Sequence, residues 1–417
     1  MLLMYSIKNQ ALPLLNNLTS AQFLAEYWQK KPLLIRQAIP QFKSFLSPQE
    51  LMDLATDEDA EARLITQKNG QWRVQNSPLE EADFAKLPQA TNKNFWTILV
   101  QNVNHHLPQA VDLLQQFSFI PHARLDDLMI SYAPKGSGIG AHVDSYDVFL
   151  LQGAGKRKWQ ISGTNNQSPA DLSLQENAPL KLLKNFVPEQ EWILEAGDML
   201  YLPPHIAHCG ISESDDCMTY SIGFRAPSYT ELAHEFLSYL QDKLPENDSI
   251  KGRYADPDLT VQENAGEISG AFATNIHAAL SGITWKNDDI ADFLGQYLTE
   301  PKAHVYFDTP DEISLAAFTK KLAKNNVQLS LKSQLLFVQN TFYINGEKLI
   351  VADEIIACMR ELADKRCLST SSLQPQGLSP QNNPAEAGYS CVKPNMHAAL
   401  AEALFEAYLS GFIVFKK

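Results

Sequence analysis

Residues 136–162 read GSGIGAHVDSYDVFLLQGAGKRKWQIS. The stretch opens on glycines, passes through the triplet His142-Val143-Asp144, and continues as two runs, YDVFLLQ and KRKWQIS, parted by Gly153-Ala154-Gly155. In an extended chain successive side chains alternate in direction. His142 and Asp144 then point to one side and Val143 to the other. The same alternation in KRKWQIS puts Arg157, Trp159 and Ile161 on one face and Lys156, Lys158 and Gln160 on the other. Trp159 and Ile161 mark the interior, so Arg157 points inward while the two lysines face water.

Working outward, LMISYA precedes this stretch and EWIL, DMLYL and MTYSIGF follow it, with Gly and Pro between them. Many short strands and few helices between about 125 and 225 predict a sandwich or small barrel. Within EAGDMLYLPPHIAHCG, two prolines stop a strand and His208 follows. An antiparallel barrel can bring that strand end beside the His142–Asp144 pair. Two imidazoles and one carboxylate on one side of a metal form the facial arrangement of non-haem iron(II) oxygenases. Three positions stay open, two for the keto acid end of 2-oxoglutarate and one for dioxygen. The far carboxylate of that co-substrate needs a buried cation. An inward Arg is costly unless paired, and its planar fork suits a carboxylate better than Lys does.

A bare HxD triplet is common by chance, and its weight here comes from the strand pattern, the inward Arg157 and the PPHIAH segment in that order. His205 is the rival third ligand, but it directly follows Pro204 and reads as a rim residue. His105 and His106 are adjacent, so their side chains diverge, and they read as structural or exposed. His234, His277, His304 and His397 have no ligand-like partners. The parity of Asp147 sets it opposite His142, and Asp198 reads as a turn stabiliser.

The chain has 417 residues, more than one core usually supports, so two or three domains are expected. A net charge of −14 argues against nucleic-acid binding and leaves a basic protein partner plausible. Five cysteines in an odd set without CxxC spacing argue against a disulfide framework or a structural zinc site and fit a reducing compartment. No signal peptide or membrane-length apolar run is read, which makes the cytoplasm the default location.

Before residue 120 helical patterns alternate with loops. Ser20 is expected to cap a helix over AQFLAEYWQ, LLIR reads as a short strand, and Ser47-Pro48-Gln49-Glu50 reads as a capping box. After Pro227 helices return, and residues 231–300 hold 13 acidic and 4 basic side chains. Asp311 is expected to cap EISLAAFTKKLAKN, and LLFVQNTFYINGEKLIV reads as a strand pair turning at Asn345-Gly346. Together they suggest a small winged-helix module. Residues 301–417 carry 12 basic and 11 acidic side chains, too balanced for a DNA binder. Residues 368–394, rich in Ser, Pro, Gln and Asn, read as a long loop.

At these residues the chain resembles the JmjC/cupin-type ribosomal oxygenases, closely the bacterial branch that hydroxylates an arginine of large-subunit ribosomal protein L-sixteen. The segments FLAEYWQKKPLLIRQA, RLDDLMISYAPKGSGIGAHVDSYDVFLLQGAGKRKW, GDMLYLPPHIAHCG and MTYSIGFRAP carry the likeness, which covers nearly the whole chain. The resemblance implies a mixed α+β fold: a double-stranded β-helix core with an N-terminal helical elaboration over 1–229, a helical dimerisation region over 230–300, and a winged-helix-like domain over 301–417. It implies that His142, Asp144 and His208 bind Fe(II), that Arg157 binds 2-oxoglutarate, and that the chain is a homodimer acting on a basic ribosomal protein. The family's co-substrate serine falls at Ala133 here, a departure that Ser131 or Tyr132 could make good with a hydroxyl. The loop PKGSGIGA also differs from the family's more glycine-rich version. The alternatives are the same chemistry on a histidine, a methyl-lysine or a small molecule, and a non-catalytic metal-binding cupin scaffold.

Overall fold

The strands Leu125–Ala133, Asp147–Ala154 and Cys217–Phe224 are buried along most of their length, the mark of a sheet covered on both faces. They lie at the centre of an eight-stranded antiparallel sheet in a computed structural model that describes residues 10–87, 91, 94–163, 173–176, 178–370 and 396–416. Leu33–Ile35 and Met199–Leu202 extend the sheet on one side, and Asn94–Val100, Ala62–Lys68 and Gln71–Asn76 extend it on the other. A second sheet orders Gln190–Glu195, Lys156–Ser162, Ala207–Ser212 and His142–Val143, again all antiparallel.

Side-chain parity divides the central strands. Leu128, Ile130, Phe149, Leu151, Tyr220 and Ile222 join the main apolar cluster, where Phe23 of Ser20–Glu26, Leu51 of Pro48–Leu54 and Leu113 of Pro108–Gln115 cover them. Val148, Leu150, Leu200 and Leu202 point the other way and meet Trp159, Ile161 and Leu194 of the smaller sheet. This second cluster fills only part of the space between the sheets. Ser131, Gln152, Arg157, His208 and Thr219 are also buried there by parity. Buried polar groups at this density call for partners, so one end of the barrel is built for a ligand. The expected double-stranded β-helix is present.

Several local expectations change. Ala62–Lys68, Gln71–Asn76 and Asn94–Val100 are strands where helices and loops were expected. Lys68 pairs with Gln71 across a two-residue turn at Asn69 and Gly70, both at positive φ, the hairpin geometry that Asn-Gly favours. Thr19, not Ser20, caps the first helix, with Gln22 closing the capping box. Ser20 is already the first helical residue. Ser47 and Glu50 form the expected box. Ser314, not Asp311, caps Leu315–Leu322, because the chain from 311 to 314 is still irregular.

In the C-terminal third the expected strand pair is a three-stranded meander, Leu335–Val338, Thr341–Ile344 and Glu347–Leu349. Phe318, Leu322, Leu335, Phe342, Met359, Leu362, Leu400 and Leu404 form a separate core with the helices Leu315–Leu322, Ile356–Lys365 and Met396–Leu409. Asn287–Thr299 packs on this meander: Gly295 lies against the Tyr343 ring, and Asp292 accepts from the Tyr343 hydroxyl and from Lys348. On its other side Phe293 meets Phe236 of Tyr229–Lys243. The loop read over 368–394 falls outside the described residues from 371 on, and the leader reading of the first nine residues does too.

Candidate active site

His142 and His208 are direct cross-strand partners, His142 on His142–Val143 and His208 on Ala207–Ser212. Opposed residues of an antiparallel pair share a face, and the two rings lie 4.2 Å apart between centroids. His208 had been read only as following a strand end. It sits instead inside a strand that also pairs with Lys156–Ser162, with Ile161 opposite it. Asp144 closes the group: its carboxylate oxygens lie 3.5 Å from His208 Nε2 and 4.0 Å from His142 Nε2. One donor atom from each of the three residues falls within 4.8 Å of the others, a set able to hold a metal ion.

Both imidazoles are set by the same local device. His142 Nδ1 lies 3.0 Å from the Gly140 carbonyl and His208 Nδ1 2.9 Å from the Ile206 carbonyl, each two residues back in the chain. A carbonyl only accepts, so Nδ1 carries the proton and the Nε2 lone pair faces Asp144. Burial lowers the His208 pKa to about 4, with His142 adding to the effect and Asp144 opposing it. The ring is therefore neutral near pH 7, as ligation requires. His205 is exposed at φ +69°, and its N–H holds the Asp144 carbonyl at 2.9 Å. It is the rim residue expected, and its backbone pins the ligand loop.

Arg157 points inward and is 4% exposed. Its Nε donates to Cys217 Sγ at 3.3 Å, while Nη2 is buried without a hydrogen-bond partner among the described residues. The same holds for Trp159 Nε1, two residues along the same face. Arg157 lies four positions along the strand from Ile161, the rung of His208, about 13 Å between backbones. A dicarboxylate lying between the three-residue group and the guanidinium, met by side chains reaching in from both ends, would satisfy the orphaned Nη2, so the residues present fit 2-oxoglutarate beside a metal. Gly210, opposite Trp159, keeps the interval open for the indole: a Cβ there would lie 2.7 Å from the ring.

Ala133 is fully buried and pairs with Cys217 at the Arg157 end of the barrel. Of the two hydroxyls considered as replacements, only that of Ser131 shares its parity. Tyr132 points to the opposite face, where its ring meets Trp96 and its hydroxyl donates to the Asp215 carbonyl. It is removed from the co-substrate pocket. Thr219, the cross-strand partner of Ser131, is a further inward hydroxyl and donates to Gln152.

The remaining candidates lie elsewhere. Asp147 accepts from Tyr201 and Gln29 on the opposite face, as its parity required. Asp198 accepts from the Gln37 and Glu195 amides and from Arg36, stabilising its turn. His105, His106, His234, His277, His304 and His397 do not join the group.

Two residues went unnoticed in the sequence. Asp127 is buried on the same inward parity as Met129, Ser131 and Ala133; it accepts from the Asn102 amide and has no ion-pair partner among the described residues. Burial first, then Asp126, raises its pKa to about 6. Tyr146, on the rim, is raised by partial burial and then by the carboxylates of Asp144 and Asp127. Period-two reading of RLDDLMISYA would have found Asp127. A groove of about 450 Å³ runs past Ser145 and Tyr146, and the four acids in its wall, Asp126, Glu231, Glu235 and Glu300, outnumber its two cations, Arg225 and Lys302.

Comparison with known proteins agrees with this geometry. A JmjC domain profile matches residues 112–232, and a ROXA-like winged helix profile matches 282–381. The ribosomal protein uL16 3-hydroxylase of Escherichia coli is 31% identical over 339 residues, covering 78% of this chain and 84% of that one. A probable ribosomal oxygenase of Haemophilus influenzae is 40% identical over 220 residues, 52% of either chain. The X-ray structure of E. coli YcfD superposes with a TM-score of 0.74 at 27% identity, covering 96% of this chain and 98% of that one. The structure of the E. coli ribosomal oxygenase YcfD with cobalt and 2-oxoglutarate gives 0.72 at the same identity. The chain belongs to the JmjC-domain ribosomal oxygenases, a family of 2-oxoglutarate-dependent oxygenases.

Proposed function

We propose that the chain hydroxylates an arginine side chain of ribosomal protein uL16, with iron(II) held by His142, Asp144 and His208 and the far carboxylate of 2-oxoglutarate held by Arg157. The observation that carries this reading is the buried, unpartnered Nη2 of Arg157 on the same barrel wall as the three-residue group. A scaffold that only bound metal would have no use for that cation. Bound together, iron(II), 2-oxoglutarate and dioxygen supply oxidative decarboxylation to succinate and carbon dioxide, with one oxygen atom inserted into a substrate C–H bond. Carbonyl-fixed imidazoles present Nε2 to the metal, Arg157 and Trp159 offer N–H donors to the co-substrate, and Ser131 or Thr219 stands where Ala133 lacks a hydroxyl.

The arginine reading is supported by Asp127. A buried carboxylate without a cation is costly, and an arriving guanidinium would pair with it bidentately while the acidic groove takes up basic flanking residues. Asp127→Asn should raise KM for the uL16 peptide about 10- to 150-fold, the worth of hydrogen bonds to charged groups. The direct test incubates iron-loaded protein with that peptide and 2-oxoglutarate, then reads by mass spectrometry one added oxygen on the arginine. Oxygen on a histidine instead would end the arginine assignment, and 2-oxoglutarate turnover with no peptide modified would end the uL16 assignment.

We keep the division into a catalytic unit over 1–229, a dimerisation region over 230–300 and a C-terminal unit from 301, with Asn287–Thr299 as the bridging helix. No side chain of Gly270–Leu280 is buried, and Leu237, Leu259, Ile268 and Trp285 are more than half exposed. Apolar exposure on this scale marks an interface, which supports a homodimer; sedimentation at the 46.6 kDa of one chain would overturn it. No helix among the described residues is long and apolar enough to cross a membrane, and an enzyme of ribosomal protein would work in the cytoplasm.

A further inference from the structure

Away from the barrel interior, a cavity of about 70 Å³ lies between the catalytic unit and the C-terminal core. By the volume one water centre occupies, that space takes several waters or one compact ion. Its wall holds four cations, Arg225, Lys302, Lys332 and Arg366, with His105 and His122, against two acids, Asp126 and Glu300. Asp126 answers two of these cations, at 3.5 Å from Arg225 and 3.7 Å from Lys302. Lys332 reaches Asp59 at 3.5 Å, and that carboxylate is half exposed. Arg366 has no carboxylate within ion-pair distance among the described residues. Its Nη2 donates to the carbonyls of Ser330 and Leu331. Burial lowers its pKa to about 10. His105 is pushed down to about 3, by burial first and then by His106, Lys302, Lys332 and Arg366. His122 is lowered by burial and by Arg366. An enclosed space with this many positive walls and too few acids focuses a positive potential, and a partly buried guanidinium without a counter-ion calls for one.

We propose that this cavity binds a compact oxyanion of the phosphate class between Arg366, Lys332 and Lys302, and that the anion ties the C-terminal unit to the catalytic unit. Arg366, Lys332 and Lys302 come from the C-terminal unit, and Arg225, His105 and His122 from the catalytic unit. A multiply charged tetrahedral ion offers several separate acceptor oxygens and more charge than a monovalent spherical ion, so it suits cations converging from both sides better. The site lies outside the co-substrate pocket and does not depend on the reaction carried out there.

The test measures thermal unfolding of the full chain in inorganic phosphate against chloride at matched ionic strength, with manganese and 2-oxoglutarate present to keep the Arg157 pocket filled. Phosphate should raise the melting temperature by several degrees, in a saturable way. Arg366→Gln should abolish the rise. Because Arg366 also ends Ile356–Lys365 at φ +59°, Lys332→Met is the second variant, taken from a loop, and should weaken the rise at least tenfold in phosphate concentration. Absence of a phosphate-specific rise in the wild type overturns the site. An equal rise in both variants overturns it too, by placing the anion elsewhere.

Discussion

Asp144→Ala should lower succinate formation at least ~100-fold while leaving the far-ultraviolet circular dichroism unchanged. The magnitude follows from the order of ligand effects: removing an outer-shell partner costs roughly 10- to 100-fold, and a direct ligand must exceed that. The fold should persist because Asp144 is only partly buried and its carboxylate meets no ion-pair partner among the described residues beyond the two ligand imidazoles, His142 and His208. Manganese separates the two explanations of lost activity. In the wild type it should raise the melting temperature, and in Asp144→Ala that rise should shrink or vanish. A variant that kept full turnover would refute the metal site outright.

Arg157→Ala should act on the co-substrate before it acts on the chemistry. Truncating one partner of a buried, hydrogen-bonded charge pair costs about 2–5 kcal/mol, so KM for 2-oxoglutarate should rise at least ~30-fold. The peptide KM should hardly move, because Asp127 and the acidic groove lie elsewhere. Arg157→Lys keeps the charge and loses the fork, so it should fall between the two. Because Nη2 is unpartnered in the free protein, the variant should unfold no more readily than the wild type without co-substrate; a large loss of stability would assign Arg157 to the core instead. Steady-state kinetics in 2-oxoglutarate, with melting curves beside them, reads both.

The barrel core was legible because its strands are short β-type runs and Gly or Pro closes each one. The positions of His142, Asp144, Arg157 and Asp147 all followed from parity alone. The hairpin Ala62–Lys68 to Gln71–Asn76 was not legible in the same way. Gln71–Asn76 is an edge strand with mostly exposed side chains, so polar residues fill both of its faces and the period-two signal fades. The Asn69-Gly70 turn was the clue that remained. The caps at Thr19 and Ser314 were missed because a neighbouring Ser or Asp of equal capping strength stood within three residues. Residue type alone does not single out Asp127, because of two adjacent acids on a strand only one turns inward. Pairing of His208 with His142 could not be read at all, since it depends on the register of strands far apart in sequence.

The carbonyl bonds at Gly140 and Ile206 carry a physiological consequence. They fix both rings before any ion arrives, so affinity is set by the donor set rather than by rearrangement. Two nitrogens and one oxygen favour zinc and copper over ferrous iron by intrinsic strength. Such a pocket has no means of refusing those competitors, and the cell's handling of free metals then decides how many copies are productive. Zinc excess should silence this protein as surely as iron starvation does.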